Sequence, residues 1–393
     1  MEFIYHKKIN FFYDIIILIK NIMFNKFDLL YKKNYIYYNK IYYKKDLSRD
    51  KAYDDISKEN KTGIYRIKYK DNNDLNKKGE PKIKYNYFYS DNNKKVSIED
   101  QKRIDSLGIA PIYEDVWVSC DSNTKIQATG MDVKGRKQYR YNKNHILESE
   151  NSKFLKLYKF IKYMPKFEKR IEIDINKPSF SKDKIISIMF YIIKKLNIRV
   201  GKEVYARTNK SYGICSLKKS HIKINDKKYV AKLNFKAKSN KQVQYTINDK
   251  FIVKELIELM KLEGEKLFQY INNKNIIYKV NDVDLNDYLK QDMGKHLSVK
   301  YFRTYASNIY FIQALLNETK KKSPITQKII KKNLRTAQEY TAFYLRHTKS
   351  ISKKSYVLDL IRNLYMTEPQ YFILNKNKKP LTLLIEILKI YKK

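Results

Sequence analysis

The segment YGICSLKKSHIKINDKKYVAKLNFKAKSNKQVQYTI, residues 212–247, decides the architecture. It divides into YGICSL (212–217), HIKI (221–224), YVAKLNF (229–235) and VQYTI (243–247), separated by the turn stretches NDKK and KAKSNK. Short β-branched and aromatic runs with such punctuation read as antiparallel strands joined by tight turns. On both sides the apolar spacing lengthens to a helical period. Upstream, Phe154, Leu157, Tyr158 and Ile161 share one face, and Ile185, Ile186, Met189 and Ile193 share another. Downstream the period resumes over 251–262, 285–291, 298–316, 325–345 and 352–365. The quoted stretch is therefore a sheet inserted into a mostly α domain, expected to span residues 149–393.

Closer to the N-terminus the texture changes. IYRIKYK (64–70), KIKYNYFYS (82–90), DVWVSC (115–120) and KIQATG (125–130) read as strands of a small β-rich domain over residues 61–148. DNNDLNKKGEP (71–81) reads as a loop, and a short helix is expected over 98–106. A short linker is expected near 147–152. Residues 1–60, biased toward Tyr, Lys, Asn and Ile, read as a low-complexity extension, with Met23 as an alternative start. The expected fold class is α+β, and no internal repeat is found.

The 393 residues include 43% hydrophobic and 14% aromatic residues, enough to build cores and to exclude wholesale disorder. Against 41 acidic residues stand 83 basic ones, a net charge of +42. A folded chain with that excess calls for a polyanion, and nucleic acid is the first candidate. The two cysteines, Cys120 and Cys215, and five scattered histidines form no metal-ligand pattern. That argues against a zinc module or a disulfide scaffold and points to a reducing, intracellular compartment. The apolar run 11–23 is interrupted by Asp14 and Lys20 and is shorter than the roughly 20 residues a bilayer span needs, so neither a membrane helix nor a secretory signal is expected.

Several absences narrow the chemistry. There is no GxxxxGK[ST] phosphate loop, no HExxH and no compact carboxylate cluster for a two-metal nuclease. DNA chemistry is then expected to run without metal, ATP or another cofactor, through a side-chain nucleophile that keeps the phosphodiester energy in a covalent bond. In LRHTKSISKKSYVLDLIRNLY (345–365), Tyr356 is read near the start of a helix that continues with Leu360 and Leu364 on one face, and His347 stands nine residues upstream. Only 12 of the 83 basic residues are arginine, so a guanidinium marks places where a two-pronged fork is needed, and Arg199 and Arg303 are two of these. The bland alternatives are a snorkelling Arg303, a solvated turn lysine at Lys238 and a helix-end donor at His347.

HTKSISKKSY resembles the His-Thr-Pro-Ser-x-Ser-Lys-x-x-Tyr active-site segment of the type IB DNA topoisomerases, particularly the compact form of poxviruses, giant viruses and some bacteria. Lys349 replaces the usual Pro, and Arg346 replaces the usual Gly before the histidine. Upstream, IRVGKEVYARTNKSYGICSLKKSHI (198–222) is similar to the first-arginine segment, FKAKSN (235–240) to the lysine-bearing turn, and 267–307 to the second-arginine region. IAPIYEDVWVS (109–119) and IQATGMDVKGRKQYRYN (126–142) are similar to the N-terminal signature.

The resemblance implies that Arg199, Lys238, Arg303, His347 and Tyr356 are catalytic. Tyr356 would attack the scissile phosphate, both arginines and His347 would stabilise it, and Lys238 would protonate the leaving 5′ oxygen. It also implies DNA contacts by Arg136, Gln138, Tyr139, Tyr141, His145 and Lys202, no cofactor, a monomer, and two domains closing as a C-shaped clamp on double-stranded DNA. GRKQYRYNKNH (135–145) by itself interleaves cations, aromatics and amides, the mixture that contacts phosphates and base edges together. A tyrosine recombinase shares the five groups but usually carries His-x-x-Arg where this chain has Lys300-Tyr301-Phe302-Arg303. A non-enzymatic basic packaging protein would account for the charge but not for the ordered five.

Overall fold

The computed structural model describes residues 63–391, apart from 77, 78, 80, 134, 179 and 322–325. The extension read over residues 1–60 and its apolar run lie outside the described residues. The described chain parts into two compact units between Asn142 and Lys143.

The first unit holds β1 (Ile64–Leu75), β2 (Pro81–Tyr89), α1 (Ile98–Ser106), β3 (Glu114–Val118), β4 (Ile126–Met131) and β5 (Lys137–Tyr141). Its strands form one antiparallel sheet in the order β2-β1-β3-β4-β5. Ile64, Tyr87, Val116, Val118 and Ala128 bury one side against Ile104 of α1. Ser97 caps that helix, its hydroxyl accepting from the Asp100 N–H at 3.1 Å. The loop expected over 71–81 is shorter, because β1 continues to Leu75. Lys84 reaches Asp71 and Asp74 across the hairpin at 2.7 and 3.1 Å, and such opposite charges favour the pairing.

The second unit begins with α2 (Lys143–Asp174), α3 (Lys182–Leu196) and α4 (Glu203–Asn209). The inserted sheet follows, with β6 (Ile222–Asn225), β7 (Val230–Ala237) and β8 (Lys241–Ile247) paired antiparallel in chain order. Then come α5 (Lys250–Lys261), a small hairpin of β9 (Gln269–Ile271) and β10 (Ile277–Lys279), and α6 (Asp282–Met293). The chain ends in α7 (Lys300–Lys321), α8 (Gln327–Tyr344), α9 (Asp359–Thr367), α10 (Pro369–Leu374) and α11 (Pro380–Ile390). Side chains such as Asp249, Asn281 and Thr326 cap α5, α6 and α8 by accepting from N–H groups of the first turn. One apolar core joins the inserted sheet to α3, α5 and α6, with Phe167, Phe190 and Phe302 packed ring to ring. A second core gathers α7 through α11.

Three expectations are corrected here. The linker read near 147–152 is helical, because α2 runs unbroken from Lys143, with an i,i+3 pair from Lys153 to Glu150 at 2.6 Å on its polar face. YGICSL is not a strand but a 3-10 turn over Ile214–Ser216. Its N–H groups go to the preceding arginine segment instead of a sheet: Ile214 donates to the Arg199 carbonyl and Cys215 to that of Val200, both at 2.8 Å. Gly201, with φ +75°, lies so near Gly213 that an added Cβ would meet its backbone at 2.5 Å, so glycine is required at this crossing. Finally, the helix expected over 352–365 is two pieces, a π turn over Ser352–Tyr356 and then α9.

Candidate active site

Tyr356 is the last residue of that π turn and does not open a helix. Val357 and Leu358 after it are extended, with ψ 134° and 130°, so Leu360 and Leu364 belong to a separate helix that anchors the chain beyond the tyrosine. Breaking a helix in the interior strands backbone polar groups, and a buried orphan is costly. Asn308 of α7 supplies both partners: its amide donates to the Tyr356 carbonyl at 3.1 Å, and its Oδ1 accepts from Leu358 N–H at 2.9 Å. The tyrosine is held at 8% exposure in this bend.

Arg303 lies in the first turn of α7, only 3% exposed. Its fork donates to the Asn197 carbonyl at the end of α3 and, at 2.6 Å, to the Leu345 carbonyl at the end of α8. Two helix C-termini thus offer it partial negative charge. Its Nε is buried without a partner among the described residues. The guanidinium carbon stands 5.4 Å from the centre of the Tyr356 ring, and Lys300 Nζ stands 5.8 Å from it. Arg199 sits on the extended run after α3 that the Gly201–Gly213 crossing fixes. Burial first, and then Arg303, hold its guanidinium below the ordinary arginine pKa.

His347 follows α8 and lays its ring parallel to that of Tyr356, with centroids 5.3 Å apart and planes 5° from coplanar. Its Nδ1 lies 3.1 Å from the Thr348 carbonyl, which can only accept, so Nδ1 carries the proton. Nε2 is buried without a partner among the described residues. Burial, then Arg303, Arg199 and Lys241, push the imidazole down to about 4, with the Thr348 carbonyl opposing. The ring is therefore neutral near pH 7 and presents a lone pair at Nε2. Tyr356 feels the same cations in the opposite sense: burial alone raises its phenol, but Arg303, Arg199 and Lys300 together bring it below the ordinary value.

Four of the five residues named for catalysis thus come together, the half-buried Arg199 beside the buried Arg303, His347 and Tyr356. The structure does not join Lys238 to them. It stands exposed in the turn between β7 and β8, where Ser239 and Asn240 take left-handed φ of 65° and 63°. Lys241, opposite Ala237 across the hairpin, carries the turn's charge that acts on His347.

Among the residues expected at DNA, Arg136 and Gln138 both donate to Asp132, at 2.6–2.9 Å. Tyr139 and Tyr141 alternate with Gln138 along edge strand β5 and stack with centroids 6.1 Å apart, so they occupy its other face. His145 lies in the first turn of α2, 3.8 Å from Glu148, and Lys202 pairs with Asp282 at 3.7 Å.

Sequence reading missed Lys300, Asn308 and Tyr245, while Lys241 and Lys236 stand in the reading as the next turn lysines after Lys238 for the leaving-group role. Only Lys300 left a signal, three residues before Arg303 on the same helical face. No group of three or more His, Cys, Asp or Glu side chains able to hold a metal occurs among the described residues, and no described helix is long and apolar enough to cross a membrane. A phenol with lowered pKa amid fixed cations suits nucleophilic attack on a phosphodiester.

Residues 133–367 match the family described as eukaryotic DNA topoisomerase I, catalytic core, and residues 84–132 match the bacterial DNA topoisomerase IB N-terminal domain. Over 335 residues the chain is 48% identical to DNA topoisomerase 1B of Acanthamoeba polyphaga mimivirus, covering 84% of this chain and 96% of that protein. It is 28% identical over 267 residues to DNA topoisomerase 1B of vaccinia virus (strain Western Reserve), covering 67% of this chain and 78% of that one. DNA topoisomerase I of Monkeypox virus is similar to the same extent.

Proposed function

Since the chain belongs to the type IB DNA topoisomerases, we propose that Tyr356 is its nucleophile and that it relaxes supercoils by cutting and resealing one strand without ATP or metal. The observation that carries this reading is the cluster of the half-buried Arg199 with the buried Arg303 and His347 around the buried Tyr356 ring.

Attack by the Tyr356 oxygen, which gives up its phenol proton to solvent, forms a bond to the scissile phosphorus and breaks the phosphorus bond to the 5′ oxygen. A 3′-phosphotyrosyl link remains, with a free 5′ hydroxyl. The cut end turns about the intact strand, and the hydroxyl then attacks back and releases Tyr356. The transition state carries extra charge on the non-bridging oxygens, where Arg199 and Arg303 stabilise it. His347 can donate from Nε2 only as the imidazolium, because Nδ1–H is committed to Thr348. The incoming phosphate therefore recruits a proton to that ring as it supplies the acceptor that Nε2 lacks. Lys238 delivers the proton to the 5′ oxygen, and its exposed turn must then approach the cluster when DNA is bound.

The β-rich unit and the catalytic unit act as a C-shaped clamp on duplex DNA, with Arg136, Gln138, Tyr139, Tyr141, His145 and Lys202 as contacts and the protein working as a monomer away from membranes. Asp132 would release Arg136 and Gln138 to the duplex. Supercoiled plasmid incubated in EDTA without ATP tests the reading. Wild type is expected to relax it and Tyr356→Phe to leave it supercoiled; relaxation by the Phe variant would refute the assignment.

A further inference from the structure

Residues 345–347 make one turn in which each residue touches the site differently. The Leu345 carbonyl receives Arg303, and His347 stacks on Tyr356. Between them Arg346 takes φ 52°, a left-handed conformation that strains every side chain except glycine. Glycine is the ordinary residue where a helix ends this way. The arginine side chain makes a contact that glycine could not: its guanidinium carbon lies 4.5 Å from the centre of the Tyr245 ring. Tyr245 is a buried residue of β8, stacked on Phe235 of β7 with centroids 6.0 Å apart. These strands carry the turn with Lys238 and belong to the first apolar core, whereas α8 belongs to the second.

We propose that Arg346 is a positioning residue, which by resting on Tyr245 ties the His347 turn of α8 to the β7–β8 hairpin and keeps the groups on both sides of the scissile phosphate in register. The proposal rests on the reading of Tyr356 and His347 as groups that act on the phosphate. A guanidinium over a tyrosine face is attracted by the ring quadrupole, and the contact strengthens as the site loses water around DNA. The strain of a left-handed arginine is then offset by a contact that matters for chemistry, not for the fold.

The test uses the full-length protein in excess over supercoiled plasmid and follows denaturant-resistant adduct formation, DNA affinity and thermal melting together. Arg346→Gly removes the side chain while suiting the backbone, so its melting temperature is expected to be unchanged or higher. Its adduct formation is expected to slow by at least about five-fold with affinity within about two-fold of wild type, the scale of a lost cation–π contact. Arg346→Lys, which returns a cation to the ring, is expected to recover part of the rate. In the double variant Arg346→Gly, Tyr245→Leu, the two losses are expected not to add. A wild-type rate in Arg346→Gly would overturn the proposal alone, leaving the arginine a mere helix end. A loss of affinity as large as the loss of rate would also overturn it, making Arg346 a direct DNA contact. Absence of any adduct in the wild type would overturn the reading of Tyr356 and this proposal with it.

Discussion

Asn308 and Tyr356 are 48 residues apart in sequence, yet the asparagine amide donates to the tyrosine carbonyl at 3.1 Å inside the protein. The same side chain accepts from Leu358 N–H at 2.9 Å and so stabilises the break between the π turn and α9. A π turn and a helix break in tandem are rare, and such features gather at functional sites. Here they lift the phenol out of helical register and aim it at the arginines.

Replacing Asn308 with alanine would leave the Tyr356 carbonyl and the Leu358 N–H buried without partners. The expected cost is about 1–3 kcal/mol for each group left unsatisfied, read as a lowered denaturation midpoint. Adduct formation is expected to fall as the tyrosine loses its fixed direction. Unchanged stability would mean that the break holds itself.

His347 makes stability depend on pH. Its pKa in the folded protein is about 4, below the free value of about 6.5. Between those values the unfolded chain binds a proton that the folded chain refuses, so stability is complete above about pH 6.5 and declines toward pH 4. At 1.36 kcal/mol per unit the loss is about 3 kcal/mol. Chemical denaturation of wild type and His347→Gln across this range isolates the contribution, and the variant is expected to show the shallower slope. Parallel curves would show that His347 is not the titrating group.

Arg303 uses two nitrogens for two carbonyls, those of Asn197 and Leu345. Lysine keeps the charge but cannot reproduce the fork. Adduct formation by Arg303→Lys is expected to be slower by at least about ten-fold, equivalent to roughly 1.4 kcal/mol of barrier. A wild-type rate would mean that charge alone suffices.

Lys238 and Lys241 compete for the role of acid to the 5′ oxygen, the first by resemblance and the second because its charge reaches His347 in the free protein. A thiolate leaves without the proton that an alkoxide needs, since its parent acid ionises near pKa 8.5. Lys238→Ala is therefore expected to be impaired on ordinary DNA and rescued on DNA with sulfur at the 5′ bridging position, while Arg199→Ala gains much less. Rescue of Lys241→Ala in place of Lys238→Ala would transfer the role.

Much of this site was legible because its residues lie in local segments whose order and spacing survive in the sequence. Arg199, Arg303, His347 and Tyr356 were named through the family resemblance that those segments carry, and the fold brings the four together. The break after Tyr356 was not, because Leu360 and Leu364 continue the helical spacing and the residue that stabilises the break comes from α7. YGICSL looks like a strand because its β-branched and aromatic residues are read without their partner, the Arg199 segment that takes its N–H groups. The linker failed in the opposite direction, since the polar first turns of α2 lack an apolar stripe before Phe154. The β9–β10 hairpin has strands of three residues, too short to show any period.

The most direct test of the account is to map the covalent link itself. Wild-type protein trapped on plasmid by denaturant is digested with nuclease and protease, and the nucleotide-bearing peptide is sequenced by mass spectrometry. The account predicts a single adduct, with the 3′ phosphate on the oxygen of Tyr356. Attachment at any other of the chain's 36 tyrosines, or a 5′ phosphate link, would contradict it.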